Sequence, residues 1–283
     1  MRARLSAYLQ VAPLTAVFVG FFVLPIMLVL LVSFFEYQTY QLLIPAFTLQ
    51  NYVDVFTSSV TYRTYLSTLR FCLIVWVITL VLGFTIAYFL AFHVRSLRWQ
   101  MVLFLLCTIP FWTSNVIRMI AWIPLLGRHG VVNTVLQSLG LVDAPIEWLL
   151  YSEFAVILGY VYLYTLFMLV PIFNAMMRID RALLEAAGDS GATEWQTLWH
   201  VIVPLCKPGV AIGSIFVIAV VMGDFVTVNV LGGGQIASVG KTIMTELSYL
   251  QFPPAAANAL VLLIAVVLML VMLTRLVDIR KEL

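Results

Sequence analysis

The sequence predicts an all-α, polytopic membrane protein with about six transmembrane helices, and three observations predict it. Of its 283 residues, 63% are hydrophobic and 10% charged, with a mean hydropathy of +1.08; about a quarter of the residues in a soluble domain are charged. Six apolar runs lie at about 9–35, 71–92, 101–123, 154–177, 210–231 and 255–274, each near or above the roughly 20 residues a helix needs to cross the hydrocarbon core. The runs are long and continuous, a poor fit to strands or a barrel.

Each run is justified in turn. The first could be a cleaved signal peptide, but it is too long for the apolar part of one and lacks a small-x-small exit before Glu36. It is read as an uncleaved span. Pro13, Pro25, Pro110 and Pro171 fall inside or near the ends of runs, which membrane helices tolerate. The non-apolar pieces are 36–70, 127–153, 178–209 and 232–254. None is large enough for a soluble domain, and no repeat or low-complexity linker divides the chain. One transmembrane domain over 1–283 is expected. The first piece, with Asn51-Tyr52-x-x-Val55-Phe56, reads as a short interfacial helix and loop on the outer face. Tyr37, Tyr40, Tyr52, Tyr62 and Tyr65 suit an aromatic belt there.

Orientation follows from Lys and Arg near span ends. Six spans place Arg2, Arg4, Arg95, Arg98, Arg178, Arg181, Lys207, Arg275, Arg280 and Lys281 on one side. Arg63, Arg70, Arg118, Arg128 and Lys241 lie on the other side or within the membrane. Ten against five puts both termini and the 178–209 piece in the cytoplasm. The net charge of +2 therefore reflects topology, not a nucleic-acid partner.

The segment EAAGDSGATEWQTLWHVIVPLCKPG, 185–209, is the most structured of the polar pieces. Leu183, Ala187, Gly191, Trp195 and Trp199 recur every fourth residue, while Glu185, Asp189, Glu194, Gln196 and His200 fall mostly off that stripe. This is a helical period that must bury one face. Gly188 and Gly191 are expected to break the helix into a tight turn, where a side chain at Gly191 would add bulk and strain. Pro204 and Pro208-Gly209 are expected to end the element before the fifth span. On residues alone, two readings stay open: docking against a partner, or a helix lying on the inner leaflet and touching lipid. Low Lys/Arg content weighs against the second.

Two chemical motifs are set aside. Around Gly234 to Thr242 the chain resembles a phosphate-binding loop, but Gln235 stands where the first glycine should be and the segment falls in an outer loop. Gly188-Asp189-Ser190-Gly191 is similar to a serine-protease nucleophile segment, yet nothing positions His200 and a buried carboxylate beside it. His93, His129 and His200 have no metal-binding spacing. Cys72, Cys107 and Cys206 are scattered thiols, read as small apolar fillers. No catalytic residues are assigned and no cofactor is expected on this chain. If it drives uphill transport, ATP must be hydrolysed elsewhere.

Glu185-Ala186-Ala187, Gly191 three residues after Gly188, and Val201-x-Val203-Pro204 resemble the EAA loop of permease subunits in bacterial ATP-driven (ABC) importers. Pro110-Phe111-Trp112-Thr113-Ser114 through Ile117-Arg118, Leu126-Gly127-Arg128-x-Gly130-x-x-Asn133, Pro171, and Gly223-Asp224-Phe225-Val226 with Leu231-Gly232-Gly233 are similar to the spermidine/putrescine-type permeases. Where those often carry Pro after the Phe-Val pair, Thr227-Val228-Asn229 stands here. The resemblance implies a type I, binding-protein-dependent importer in the bacterial inner membrane. Its partners would be a second homologous permease, two ATPase subunits carrying ATP and Mg, and a periplasmic substrate-binding protein. It assigns coupling to Glu185, Ala186, Ala187, Gly188, Gly191, Ala192 and Pro204.

Arg118 and Asp224 lie within apolar runs, where an ionisable group should face protein, water or an opposite charge. Two readings stay open: a permanent Arg118–Asp224 pair, or an Asp224 that meets a cationic solute while Arg118 competes for it. Trp112, Asn115, Tyr160 and Tyr164 are candidates for the same pathway, since aromatic faces attract ammonium groups. The expected function is half of the pathway of an importer for a small organic solute, a polyamine such as putrescine or spermidine. Alternatives are an amino-acid derivative, an opine or a phosphonate on the same machinery. A different-class rival is an ion-driven secondary transporter, which would usually show several deep carboxylates.

Overall fold

A chain this apolar must satisfy its backbone polar groups internally, and it does so almost entirely with helices. The structure, a computed structural model, describes residues 11–38 and 41–276. The expectations for Arg2, Arg4, Tyr40, Arg280, Lys281 and the two termini lie outside the described residues. In order come α1 (Val11–Val32), a two-stranded antiparallel hairpin β1 (Glu36–Gln38) and β2 (Gln41–Ile44), α2 (Gln50–Thr57), α3 (Ser59–His93) and α4 (Leu97–Trp112). There follow α5 (Asn115–Leu126), α6 (Val131–Ser138), α7 (Glu153–Met176), α8 (Arg181–Asp189) and α9 (Glu194–Gly223). The last three are α10 (Val226–Leu231), α11 (Val239–Ser248) and α12 (Phe252–Leu276).

Among the described residues, α1, α3, α7, α9 and α12 are long and apolar enough to cross a membrane. The third expected span, 101–123, is not one rod: the chain bends by 91° between Trp112 and Asn115. Thr113 and Ser114 are extended there, with ψ near 154° and 135°. The fifth, 210–231, is also corrected. Its helix begins at Glu194 and stops at Gly223, and α10 is a separate piece. Nor is 36–70 an interfacial loop throughout, because Ser59 already starts α3.

Contacts divide the chain into two compact units. The first holds residues 1–63 and 242–264. Here Asn51 donates from Nδ2 to the carbonyls of Ser33 and Phe35, both at 2.9 Å, which fixes the start of α2 against the end of α1. Tyr52, expected in an aromatic belt, has a specific partner: its hydroxyl lies 2.6 Å from Ser33 Oγ. Glu246 on α11 accepts from Asn258 Nδ2 at 2.8 and 3.1 Å. Burial pushes the Glu246 carboxyl up from its ordinary value, and the Asn258 bond offsets part of that.

The second unit holds residues 64–241 and 265–283, and its principal helix pair is α7 with α9. Small residues let the two backbones meet. A methyl group built on Gly209 would lie 2.6 Å from the Pro171 carbonyl, and one on Gly213 would lie 2.7 Å from Met168 Sδ. The Gly209-x-x-x-Gly213 spacing puts both on one face, the usual device for close approach inside a bilayer. From α3, Trp76 Nε1 donates to Ser214 Oγ at 2.8 Å, and buried Phe71 and Val75 pack inward. The bend after α5 is latched by Asn133, which is fully buried. Its side chain donates to the Gly127 and Ile146 carbonyls at 3.1 Å and accepts from Ile146 N at 2.8 Å.

Candidate functional site

The 178–209 segment is a helix-turn-helix. Asp180 caps α8 by accepting from Ala182 N at 3.0 Å. At the other end Gly191 adopts φ +77°, with Gly191 N donating to Gly188 O at 2.9 Å and Ala192 N to Ala187 O at 3.0 Å. This is a Schellman closure, in which a left-handed glycine satisfies the last helix carbonyls. Thr193 then opens α9 with a capping box: Gln196 N donates to Thr193 Oγ1 and Thr193 N to Gln196 Oε1.

Three expectations are corrected here. The every-fourth-residue stripe does not lie on one helix, because the turn at Ser190–Ala192 separates Leu183 and Ala187 from Trp195 and Trp199. Gly188 does not break the helix; it lies inside α8, and Gly191 alone makes the turn. Pro204 and Pro208-Gly209 do not end an element, since α9 runs through all three. A wide π-turn at Leu198–Ile202 directly precedes the proline region, so the irregular ladder coincides with the missing Pro204 N–H.

No residue of α8 is buried, so Glu185, Ala186 and Ala187 are available from outside the chain. Trp195 and Trp199 are exposed and meet edge to face at 5.7 Å. A cleft of about 590 Å³ opens between the C-terminal part of α7, the start of α8 and the middle of α9, lined by Asn174, Arg178, Asp180, Leu183 and Pro208. The surface combines apolar rings with the Glu185 carboxylate.

The second group of residues lies where α9 stops. Asp224 Oδ1 accepts from Val226 N at 2.7 Å and Thr227 N at 3.1 Å, capping α10. Its Oδ2 accepts from Thr227 Oγ1 at 2.6 Å and from the Tyr164 hydroxyl. Tyr160 donates to the Asp224 main-chain carbonyl at 3.3 Å, and its ring stacks on Tyr164 at 5.8 Å. Gly240 packs against the same corner: a methyl there would lie 2.7 Å from Gly223 O.

Arg118 does not pair with Asp224. Among the described residues the ion pairs are Arg70–Glu153 and Arg128–Glu147. Arg118 is 8% exposed, donates from one terminal nitrogen to Asn115 Oδ1, and lies 6.0 Å from the Tyr162 ring centre. Its Nε has no hydrogen-bond partner among the described residues. It lines one cavity with Cys107 and Tyr162, while Asn115, Tyr164 and Asp224 line another. Trp112 lines neither; it stands 87% exposed at the bend. The residues not singled out beforehand are Thr227 and Tyr162. Asp224-x-x-Thr227 has the spacing of a helix cap, a signal that was present in the sequence.

Residues 80–280 match the family described as the binding-protein-dependent transport system inner membrane component. The chain belongs to this family. It is thus a multi-pass inner-membrane transport component, a permease of the ABC type. Its relatives include the spermidine/putrescine transport system permease protein PotB of Haemophilus influenzae, 36% identical over 80% of this chain and 78% of that protein. PotB of Escherichia coli is 34% identical over 90% and 92%. The osmoprotective compounds uptake permease protein GgtC of Synechocystis is 27% identical over 92% and 94%. Among solved structures, a chain of a bacterial alginate ABC transporter, in complex with an alginate-bound periplasmic protein, superposes with a TM-score of 0.75. That match covers 99% of this chain and 96% of the other at 16% identity, so it speaks to fold alone.

Proposed function

We propose that this chain is one permease subunit of an ATP-driven polyamine importer, carrying putrescine, spermidine or a close relative inward. The observation that carries this reading is its 34–36% identity, across 80–90% of its length, to permeases named for those solutes. It works beside a second homologous permease, two ATPase subunits that hold ATP and Mg, and a periplasmic substrate-binding protein. The exposed α8, the Gly191 turn and the Trp195–Trp199 pair form the coupling surface for an ATPase subunit, with Glu185 as its carboxylate. Lys and Arg placement supports a cytoplasmic position for this surface and for both termini.

The test is reconstitution. The chain is co-expressed with the neighbouring transport subunits, purified as a complex, placed in proteoliposomes and supplied with ATP, the binding protein and labelled putrescine or spermidine. ATP-dependent accumulation of either is expected. Similarity to GgtC supports a second reading, an osmoprotective solute; accumulation of such a solute with no polyamine uptake would replace the first. Labelling of a cysteine placed at Thr193 checks orientation: a membrane-impermeant reagent should reach it only after cells are opened.

A further inference from the structure

Asp224 sits in a span region, carries a formal charge, and finds only neutral donors around it. A carboxylate in that setting is costly, and a structural cap needs no charge, since Asn or Ser caps as well. The carboxylate also lines a cavity of about 210 Å³, together with Asn115, Tyr164, Val220, Phe225 and Thr227. We infer that this cavity is a binding site for one primary ammonium group of a passing linear polyamine, with Asp224 Oδ2 as its anionic partner. The inference rests on the polyamine-importer reading and names a place on this chain where the solute is held.

The two carboxylate oxygens divide the work. Oδ1 is fixed by two backbone N–H groups, so the acid is aimed before any ligand arrives. Oδ2 is met by two hydroxyls, from Tyr164 and Thr227. A hydroxyl keeps lone pairs of its own and can rotate its proton. An entering ammonium can therefore donate two of its three N–H groups, to Oδ2 and to the Tyr164 oxygen. Phe225 and Tyr164 add aromatic surface, which favours a cation over a neutral solute.

Arg118 sets the strength of the site. Its guanidinium donates to Asn115, a residue that also lines the cavity. Its Nε points into protein without a partner. A fixed positive charge bonded to a lining residue lowers the affinity of a second cation, so the solute is held but not trapped, as conduction through a pathway requires.

Uptake of labelled putrescine by the reconstituted complex tests this with three variants. Asp224→Asn keeps the cap and removes the charge; it is expected to raise the putrescine KM about tenfold or more, the scale of one charged hydrogen bond. Val220→Lys tethers an ammonium inside the cavity, and Val220→Met supplies similar length without charge. Uptake should fall about tenfold further in the Lys variant than in the Met variant. If Asp224→Asn does not assemble, the Val220 comparison decides alone. An unchanged KM in assembled Asp224→Asn, or equal uptake in the two Val220 variants, overturns this site while leaving the importer reading standing. A wild-type complex that accumulates no polyamine overturns both.

Discussion

Gly209 of α9 faces the carbonyl of Pro171 on α7 with no room for a side chain: a methyl group at its Cα would lie 2.6 Å from that oxygen and 3.1 Å from Ile172 Cα. Backbone rather than a flexible side chain forms the obstacle, so the helices must separate to admit even alanine. Gly209→Ala is expected to destabilise the protein by about 1–3 kcal/mol, and Gly209→Leu by more. Thermal unfolding in detergent measures this; an unchanged midpoint in Gly209→Leu would refute the close approach.

Gly191 poses a different problem. Nothing lies within 4 Å of the position its Cβ would take, so bulk is not the issue; φ +77° is. Gly191→Ala should weaken the turn by about 1–2 kcal/mol, Gly191→Asn by less, and Gly191→Val by more. Retention of the ATPase subunit through purification gives the readout, with the order Asn, Ala, Val from mildest to most severe.

Asn133 closes the loop after α5 with three hydrogen bonds from a fully buried side chain. Asn133→Ala strands the Ile146 N–H and takes one donor from each of the Gly127 and Ile146 carbonyls, though Gly127 O keeps Gly130 N, for an expected loss of about 2–3 kcal/mol. Limited proteolysis should then cut between Gly127 and Ile146 in the variant at protease levels that spare the parent chain.

Glu246 makes stability depend on pH. Burial raises its carboxyl in the folded chain, so the folded state holds a proton more tightly than the unfolded one. The associated stability is fully present below the ordinary carboxylate value and is lost as pH rises through the raised folded value. Glu246→Gln retains an acceptor for Asn258 and removes the titration. Unfolding midpoints followed upward from mildly acidic pH should fall in the parent chain and flatten in the variant.

The spans were legible because lipid-crossing length and apolar composition are local properties, readable in one window. Helix breaks were not. At Asp224 the chain turns through a cap whose other member, Thr227, is in sequence terms only a departure from related permeases. At 183–199 the every-fourth-residue stripe continued across a turn by numerical accident, and the positive φ of Gly191 overrode it. Charge alone points Arg118 toward Asp224, while its partner is Asn115, three residues earlier on the same helix. Gly209 could be understood only with Pro171 beside it, and a contact between residues 38 positions apart leaves no trace in either local sequence. Asp180 and Thr193 are the converse case: their capping patterns stand plainly in the chain.

The helix from Glu194 to Gly223 is unbroken over 30 residues, roughly 45 Å at 1.5 Å per residue. Its first turn carries Trp195 on the surface, and its last abuts the corner where Asp224 turns away. It is clasped along its middle by Pro171 and Met168. Those contacts form a fulcrum near its midpoint. A tilt of about 5° around that point would move each end by roughly 2 Å in opposite senses, and the hydroxyls of Tyr164 and Thr227 are the contacts that such a stroke would shear first.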